Sequence, residues 1–359
     1  MENNNALTVE PRAQKDQPCV APLNGCVIRR FRPEDANGVA RLIEAVYGHT
    51  YYPRDLYDPE AITRLNAAGK LISVLALDSS DRVIGHYALE RPQLGPIAES
   101  SDAIVAPEFR HHHIMEQMRV LLREEAVRAG LIGLVGYPVT NHVYSQKAEE
   151  HFGAHPCALA LGLWPRSFHN MPEGLTQRMS FVLYFKYLRP TDQVVHVATH
   201  HDKMLSRICM QYGIPVRRLD DAPPEGPGRL AVEHEPAVDT GTIRVSHVGA
   251  DTAEDVRQAK EKLCGQLGAK ALTLELPLAQ VGTCEASRAA EEEGFFFCGL
   301  GPAHAADGDA LLMQYLAEDL DPSLLQIESP LAKEMLDYTV REWERVRNKS
   351  VLAGTSRLS

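Results

Sequence analysis

Residues 99–153 read ESSDAIVAPEFRHHHIMEQMRVLLREEAVRAGLIGLVGYPVTNHVYSQKAEEHFG, in the order strand, tight turn, long helix, strand, loop, helix. Ala103-Ile104-Val105 is a short β-branched run closed by Pro107, which cannot continue a central strand. Beyond Arg110 to His113, the residues Ile114, Met118, Leu121, Leu122 and Ala126 recur at i, i+3/i+4, the spacing of an amphipathic helix. Gly130 stops that helix, and Leu131 to Val135 reads as a buried strand. A strand feeding a helix through a tight turn aims backbone N–H groups and the positive helix end at one spot, which suits a phosphate.

Val105-Ala-Pro107-Glu-Phe-Arg110, the turn, the helix, the second strand, Asn141 and Phe152-Gly153-Ala154 together resemble the acyl-CoA-binding core of the GNAT N-acetyltransferases. Ile28-Arg-Arg-Phe31-Arg-Pro33-Glu-Asp35 resembles the start of the same fold. The family binds the CoA pyrophosphate on a Q/R-x-x-G-x-G/A turn, which maps onto Arg110-His111-His112-His113-Ile114-Met115. The arginine matches, and both small positions do not, being His113 and Met115. A ring at a glycine position narrows the approach of backbone to phosphate. Against this, a turn in right-handed helical geometry needs no positive φ, and imidazolium attracts phosphate. Three consecutive histidines on a helix point about 100° apart and cannot share one metal ion.

The resemblance implies an α/β fold, a GNAT-like mixed and splayed β-sheet flanked by helices, followed by a second, smaller α/β domain. The division expected is a flexible tail at 1–25, an acyl-CoA-binding domain at 26–190 and a second α/β domain at 191–320. A C-terminal helix and tail occupy 321–359. In the first domain, helices are expected over Val39 to Val46 and Pro59 to Ala68, and strands over Leu71 to Leu77 and Val83 to Leu89. The second half has strands at Thr242–Val248, Ala271–Leu276, Phe295–Leu300 and Asp309–Leu316, with helices at Thr252–Leu267 and Cys284–Glu293. It reads either as a shortened GNAT-like unit lacking the pyrophosphate turn or as an unrelated α/β sandwich. The helix over 330–347 is amphipathic and packs on its own chain or in a homodimer.

The resemblance also implies roles. Acetyl-CoA, or another acyl-CoA, is the cofactor. Ile104 and Val105 would bond the pantetheine amides through their backbone, Arg110 to Met115 would hold the pyrophosphate, and Asn141 would hold the pantetheine arm or cap a helix. Many family members place a tyrosine four residues before the Gly-Phe of the last helix, to protonate the leaving thiolate. Here that position is Glu149, and Tyr144 and Ser145 are the nearest substitutes. Glu99 or Asp102 would be the base, or else solvated residues at a strand start. Tyr51, Tyr52, Arg54 and Tyr57 form an aromatic connection that would wall the acceptor or pack between helices.

Composition sets limits on partners. The chain has 359 residues, 44% hydrophobic and 24% charged, enough for two ordinary globular domains. A formal net charge of -11 argues against a nucleic-acid footprint. Seven cysteines, scattered and without C-x-x-C, read as free thiols in a reducing cytoplasm. No apolar run reaches the ~18–20 residues of a membrane span. No nucleotide-binding, serine-hydrolase or zinc-protease motif occurs, and His196 and His200-His201 straddle an expected strand end, so no metal is expected. Three functions are carried forward: an N-acyltransferase acting on an amine of a small molecule or protein, a non-catalytic acyl-CoA sensor, and an interaction scaffold. No cysteine or serine nucleophile is evident, so direct transfer is expected rather than an acyl-enzyme.

Overall fold

The computed structural model describes residues 20–356 except 24, 50, 92, 167–175, 190–192, 197–198 and 214–215. Most of the expected N-terminal tail lies outside the described residues. Within it, Val20–Leu23 forms a strand (β1) paired antiparallel with Cys26–Arg30 (β2). The chain divides into two compact units: residues 1–48, 52–89 and 102–125 in the first, and 49–51, 90–101 and 126–359 in the second. Neither division falls at Pro190, where the sequence places a boundary.

The first unit holds helices Ala36–Tyr47 (α1) and Pro59–Ala67 (α2), and strands Leu71–Leu77 (β3) and Val83–Glu90 (β4, through Leu89). It also holds the end of Ile97–Val105 (β5) and most of Ile114–Arg128 (α3). Its strands follow the order β1-β2-β3-β4-β5. Every residue of β3 is buried, which is why its sequence reads as one apolar run without alternation. Pro33 opens a short turn before α1. Asp35 there accepts from the Arg32 backbone N–H at 2.8 Å and pairs with both Arg29 guanidinium nitrogens at 2.7 and 2.8 Å. Asn66 at the end of α2 bonds Ser73 of β3 through backbone and side chain, fixing helix to strand.

The second unit starts with the first half of β5, which pairs in parallel with Gly133–Gly136 (β6) over Ile97–Glu99 against Gly133–Val135. The strand–helix–strand order expected from sequence therefore yields neighbouring parallel strands. Tyr144–His151 (α4), His155–Trp164 (β7) and Met179–Tyr187 (β8) follow, with β8 antiparallel between β6 and β7.

The rest of this unit repeats that plan. Thr240–His247 (β12) pairs in parallel with Ala271–Pro277 (β13), and β13 pairs antiparallel with Gly308–Leu316 (β15). In turn β15 pairs antiparallel with Phe296–Ala305 (β14). Helices Thr252–Lys260 (α6) and Thr283–Glu292 (α7) fill the connections, as α3 and α4 do earlier in the chain. Arg229–Glu235 (β11) pairs antiparallel with β12. A separate small sheet, Gln193–Val195 (β9) with Val216–Arg218 (β10), flanks Asp202–Met210 (α5).

The repeats join where β14 runs beside β7, Gly299 facing Ala158. Gly299 has φ +146°, and a Cβ there would meet the Cys157 carbonyl at 2.3 Å, so only glycine permits the approach. The core beneath this seam includes Phe295, Phe296 and Phe297, all fully buried. The last helix, Pro330–Ser356 (α8), sinks Leu331, Ala332, Met335, Trp343 and Val346 into the same core. Its apolar positions thus have a partner in their own chain. Among the described residues no helix is long and apolar enough to cross a membrane.

Candidate active site

In the first unit, β5 delivers Ile104 (buried) and Val105 (half-buried) to a short turn at Pro107–Phe109. Arg110 follows, exposed, its Nε donating to the Val105 carbonyl at 3.3 Å. His111, His112 and His113 are exposed, Ile114 is buried and Met115 half-buried at the start of α3. His111 and His113 have φ of +66° and +59°. The right-handed turn considered from sequence is therefore not the one formed. The backbone takes the left-handed shape that glycine favours, at the cost of a Cβ in that region. His113 is steadied by Glu116, whose carboxylate lies 3.2 Å from its Nδ1.

Asp102 lies mid-strand in β5 with φ +55°, which breaks the pleat. His86 holds this irregularity: its Nδ1 lies 3.2 Å from the Asp102 carbonyl and its Nε2 3.0 Å from the Ser73 hydroxyl. Burial lowers the His86 pKa to about 4, so the ring is neutral, with Nδ1–H donating and Nε2 accepting. The Asp102 side chain is itself buried. Around Tyr47 the expected residues Asp102, Arg110 and Tyr57 gather. Burial raises that phenol's pKa, Arg110 opposes the rise, and Asp102 and Tyr57 add to it. Tyr47 was not singled out in the sequence, although it ends α1 just before the aromatic connection. Of that connection, Tyr52 and Tyr57 are half-buried and Arg54 is exposed in the turn Arg54–Tyr57; Tyr51, half-buried, belongs to the second unit.

In the second unit the loop after β6 carries Asn141, half-buried. Gln146 of α4, fully buried, organises this loop: its Nε2 donates to the carbonyls of Val139, His142 and Gln326, and its Oε1 accepts from the Glu328 N–H. A lone glutamine in a polar helix gave no signal of this. Tyr144 is 78% exposed at the start of α4, and Ser145 beside it is half-buried. Glu149, at the family's tyrosine position, sets its carboxyl against Gly136.

A cavity of about 450 Å³ opens inside this unit, lined from both repeats. Glu99, Tyr137, Val139, Trp164 and Phe181 come from the first, and Thr242, Arg244, Glu275, Cys298 and His304 from the second. Burial, with the nearby charge of Glu90 adding to it, pushes the Glu99 pKa up to about 8. Arg244 reaches Glu275 at 2.8 Å and Glu233 at 3.3 Å. Burial works against the Glu275 carboxylate, yet His304 and Arg244 hold its pKa below the usual value. Neither Tyr144 nor Ser145 lines this cavity. Cys298 does, and Cys157 lies buried beneath; burial pushes both thiols far up, leaving them protonated and unsuited to attack.

In the second repeat the chain bonds its own backbone at the end of β12 and the start of α6. Gln280, just after β13, accepts from the Val248 N–H at 2.9 Å and donates to the Ser246 carbonyl at 3.2 Å. At the start of α6, the Ala250 N–H donates to the Gly226 carbonyl and the Gly249 N–H to Thr252 Oγ1. Backbone and side chains of the chain itself thus fill the helix end.

His200, His201, Glu291 and Glu342 converge so that one ligand atom from each lies within 4.8 Å of the others. Arg345 Nη2 sits among them, 2.6 Å from both carboxylates and 3.3 Å from His200 Nε2. A guanidinium there supplies the positive charge the carboxylates need.

Among known proteins, no family profile and no curated sequence matches the chain. Solved structures do. A GNAT-family acetyltransferase from Desulfovibrio desulfuricans is 16% identical, with 45% of this chain covering 98% of that one at a TM-score of 0.35. A ribosomal-protein-S5-alanine acetyltransferase from Vibrio fischeri is 13% identical over 46% of this chain and 95% of its own, at 0.37. An aminoglycoside 6'-N-acetyltransferase solved with coenzyme A is 16% identical over 46% and 98%, at 0.35. The chain is similar to each over one GNAT-sized stretch.

Proposed function

We propose that the protein is an acyl-CoA-dependent N-acyltransferase, acetyl-CoA being the simplest donor, acting on an amine. The observation that carries this reading is Glu99: a carboxyl with a raised pKa, the last residue that β5 pairs with β6, lining a cavity. A base of pKa near the working pH is what amine deprotonation calls for. The turn also fits a pyrophosphate, since His111 and His113 already have the backbone shape of a glycine cradle ahead of a 15-residue helix.

In this reading Arg110 and the N–H groups of His111 to Met115 hold the pyrophosphate, Ile104 and Val105 offer backbone to the pantetheine amides, and Asn141 steadies that arm. Acyl-CoA supplies an activated acyl group and a thiolate leaving group. Glu99 removes one proton from the acceptor ammonium, so that a neutral nitrogen forms the C–N bond as the C–S bond breaks, and the second nitrogen proton ends on the departing thiolate, giving amide and free thiol. Asp102, buried beside Tyr47, is the alternative base. With the thiols of Cys157 and Cys298 protonated, transfer is direct.

Glu149 in place of tyrosine favours a second reading, an acyl-CoA sensor that binds without turnover. Calorimetry with acetyl-CoA and turnover with an amine panel separate the two. Binding with turnover that falls roughly 10²–10⁴-fold in Glu99→Gln supports the enzyme. Binding without turnover of any amine supports the sensor, and absence of binding removes both.

A further inference from the structure

The cavity in the second unit is a closed balance of charge but for one group. Arg244 is matched by Glu275 and Glu233, and His304 Nδ1 lies 3.6 Å from Glu275. Glu99 has no such match: among the described residues no cation contributes to its environment, which is set by burial and by a second carboxyl, Glu90. In the same cavity, His304 Nε2 is buried without a hydrogen-bond partner. His304 Nδ1 already faces Glu275, which leaves Nε2 as a further polar atom for an occupant of the cavity to meet. Both groups therefore ask for polar partners, and the carboxyl asks for positive charge. The wall also carries two aromatic rings: Trp164 and Phe181 pack edge to face with centroids 5.0 Å apart.

We infer that this cavity is the binding site of a small primary ammonium carrying an aromatic body, its cation on Glu99 and its ring against Trp164 and Phe181, with His304 lining the same site. The volume, about 450 Å³, lies within the range of small-molecule sites. Arg244, Glu275 and His304 of the second repeat line the site, which gives that repeat a task. The inference rests on the proposed function by naming the class of its acceptor, yet it concerns binding alone and is tested without any CoA.

The probes are 2-phenylethylamine and tryptamine, with 2-phenylethanol and 3-phenylpropionate as neutral and anionic counterparts, titrated calorimetrically into the full-length protein. The amines are expected to bind, and the alcohol and the carboxylate at least tenfold more weakly. Glu99→Gln should weaken the amines by a factor of ten or more and leave the alcohol unchanged. Because that variant touches the proposed base, Thr242→Trp, which fills the cavity from β12, is the second variant; it should abolish amine binding while circular dichroism and melting temperature stay near wild type. Equal binding of amine and alcohol, or no binding of either amine to folded protein, overturns the inference. A separate acetyl-CoA titration keeps the two readings apart. Amine binding without CoA binding retains this inference and removes the acyltransferase, whereas CoA binding without amine binding does the reverse.

Discussion

The Gln280 side chain takes the place of a strand neighbour for Val248: its Oε1 accepts the Val248 N–H at 2.9 Å while its Nε2 bonds Ser246. In the second repeat, then, side-chain amide satisfies backbone groups just where ladder pairing ends. The Ala250 N–H at the adjoining helix start is likewise bonded within the chain. Acyl-CoA should therefore bind with a stoichiometry of one per chain, in the first repeat alone. Calorimetric stoichiometry of two would contradict this, and Gln280→Ala should leave the value at one.

His86 predicts an acid-labile strand β5. Its folded pKa is about 4 against 6.5 unfolded, so between these values the unfolded chain binds the extra proton. Stability is full above pH 6.5, falls as pH drops below it, and stops falling near pH 4. The total effect is about 3 kcal/mol, since each pH step between the two values removes about 1.4 kcal/mol. Denaturant unfolding across that window measures it. His86→Gln should lower stability at pH 7, because neutral donor and acceptor are imperfectly replaced, while flattening the dependence on pH.

The exposed histidines at positive φ should be costly to stability. Replacing His113 by glycine removes a strained Cβ and gains roughly 0.5–1 kcal/mol, less the weak contact with Glu116. Thermal melting should shift upward in His113→Gly and further in the double variant with His111→Gly.

The seam between the repeats rests on Gly299. Its φ of +146° and the 2.3 Å approach to the Cys157 carbonyl leave no space for a methyl group. Gly299→Ala should destabilise the second unit by roughly 1–3 kcal/mol or more, read by equilibrium unfolding. An unchanged midpoint would mean that β7 and β14 do not depend on this close approach.

If Glu99 is the base, kcat/KM for the amine should climb with pH to a limb near 8, since the deprotonated carboxylate is the active form. Glu90, whose charge helps raise that pKa, provides the control. Glu90→Gln should move the limb to lower pH without abolishing turnover. A limb that stays in place would assign the titration to another group.

Local sequence determined much of the path of this chain. Pro33, Pro59, Pro107 and Gly130 mark where helices and strands begin or end, because their backbones restrict or free φ independently of context. The spacing of Ile114, Met118, Leu121 and Leu122 identifies α3, and the apolar run at Leu71–Leu77 identifies β3, since both are buried along a regular period. The resemblance to the GNAT core likewise rests on element order, and the parallel pairing of β5 with β6 follows from it. Tertiary structure alone decided the rest. Positive φ at Asp102, His111 and His113 opposes local preference and persists because surrounding packing overrides it. The second half reads in sequence either as a shortened GNAT-like unit or as an unrelated sandwich, and only the tertiary structure shows that β12, β13, β15 and β14 pair in the order of β5, β6, β8 and β7. The cavity shared by Glu99, Tyr137, Arg244, Glu275 and His304 joins residues far apart in the chain. Periodicity reports only neighbours along one element, whereas a charge left unmatched is a property of everything folded around it.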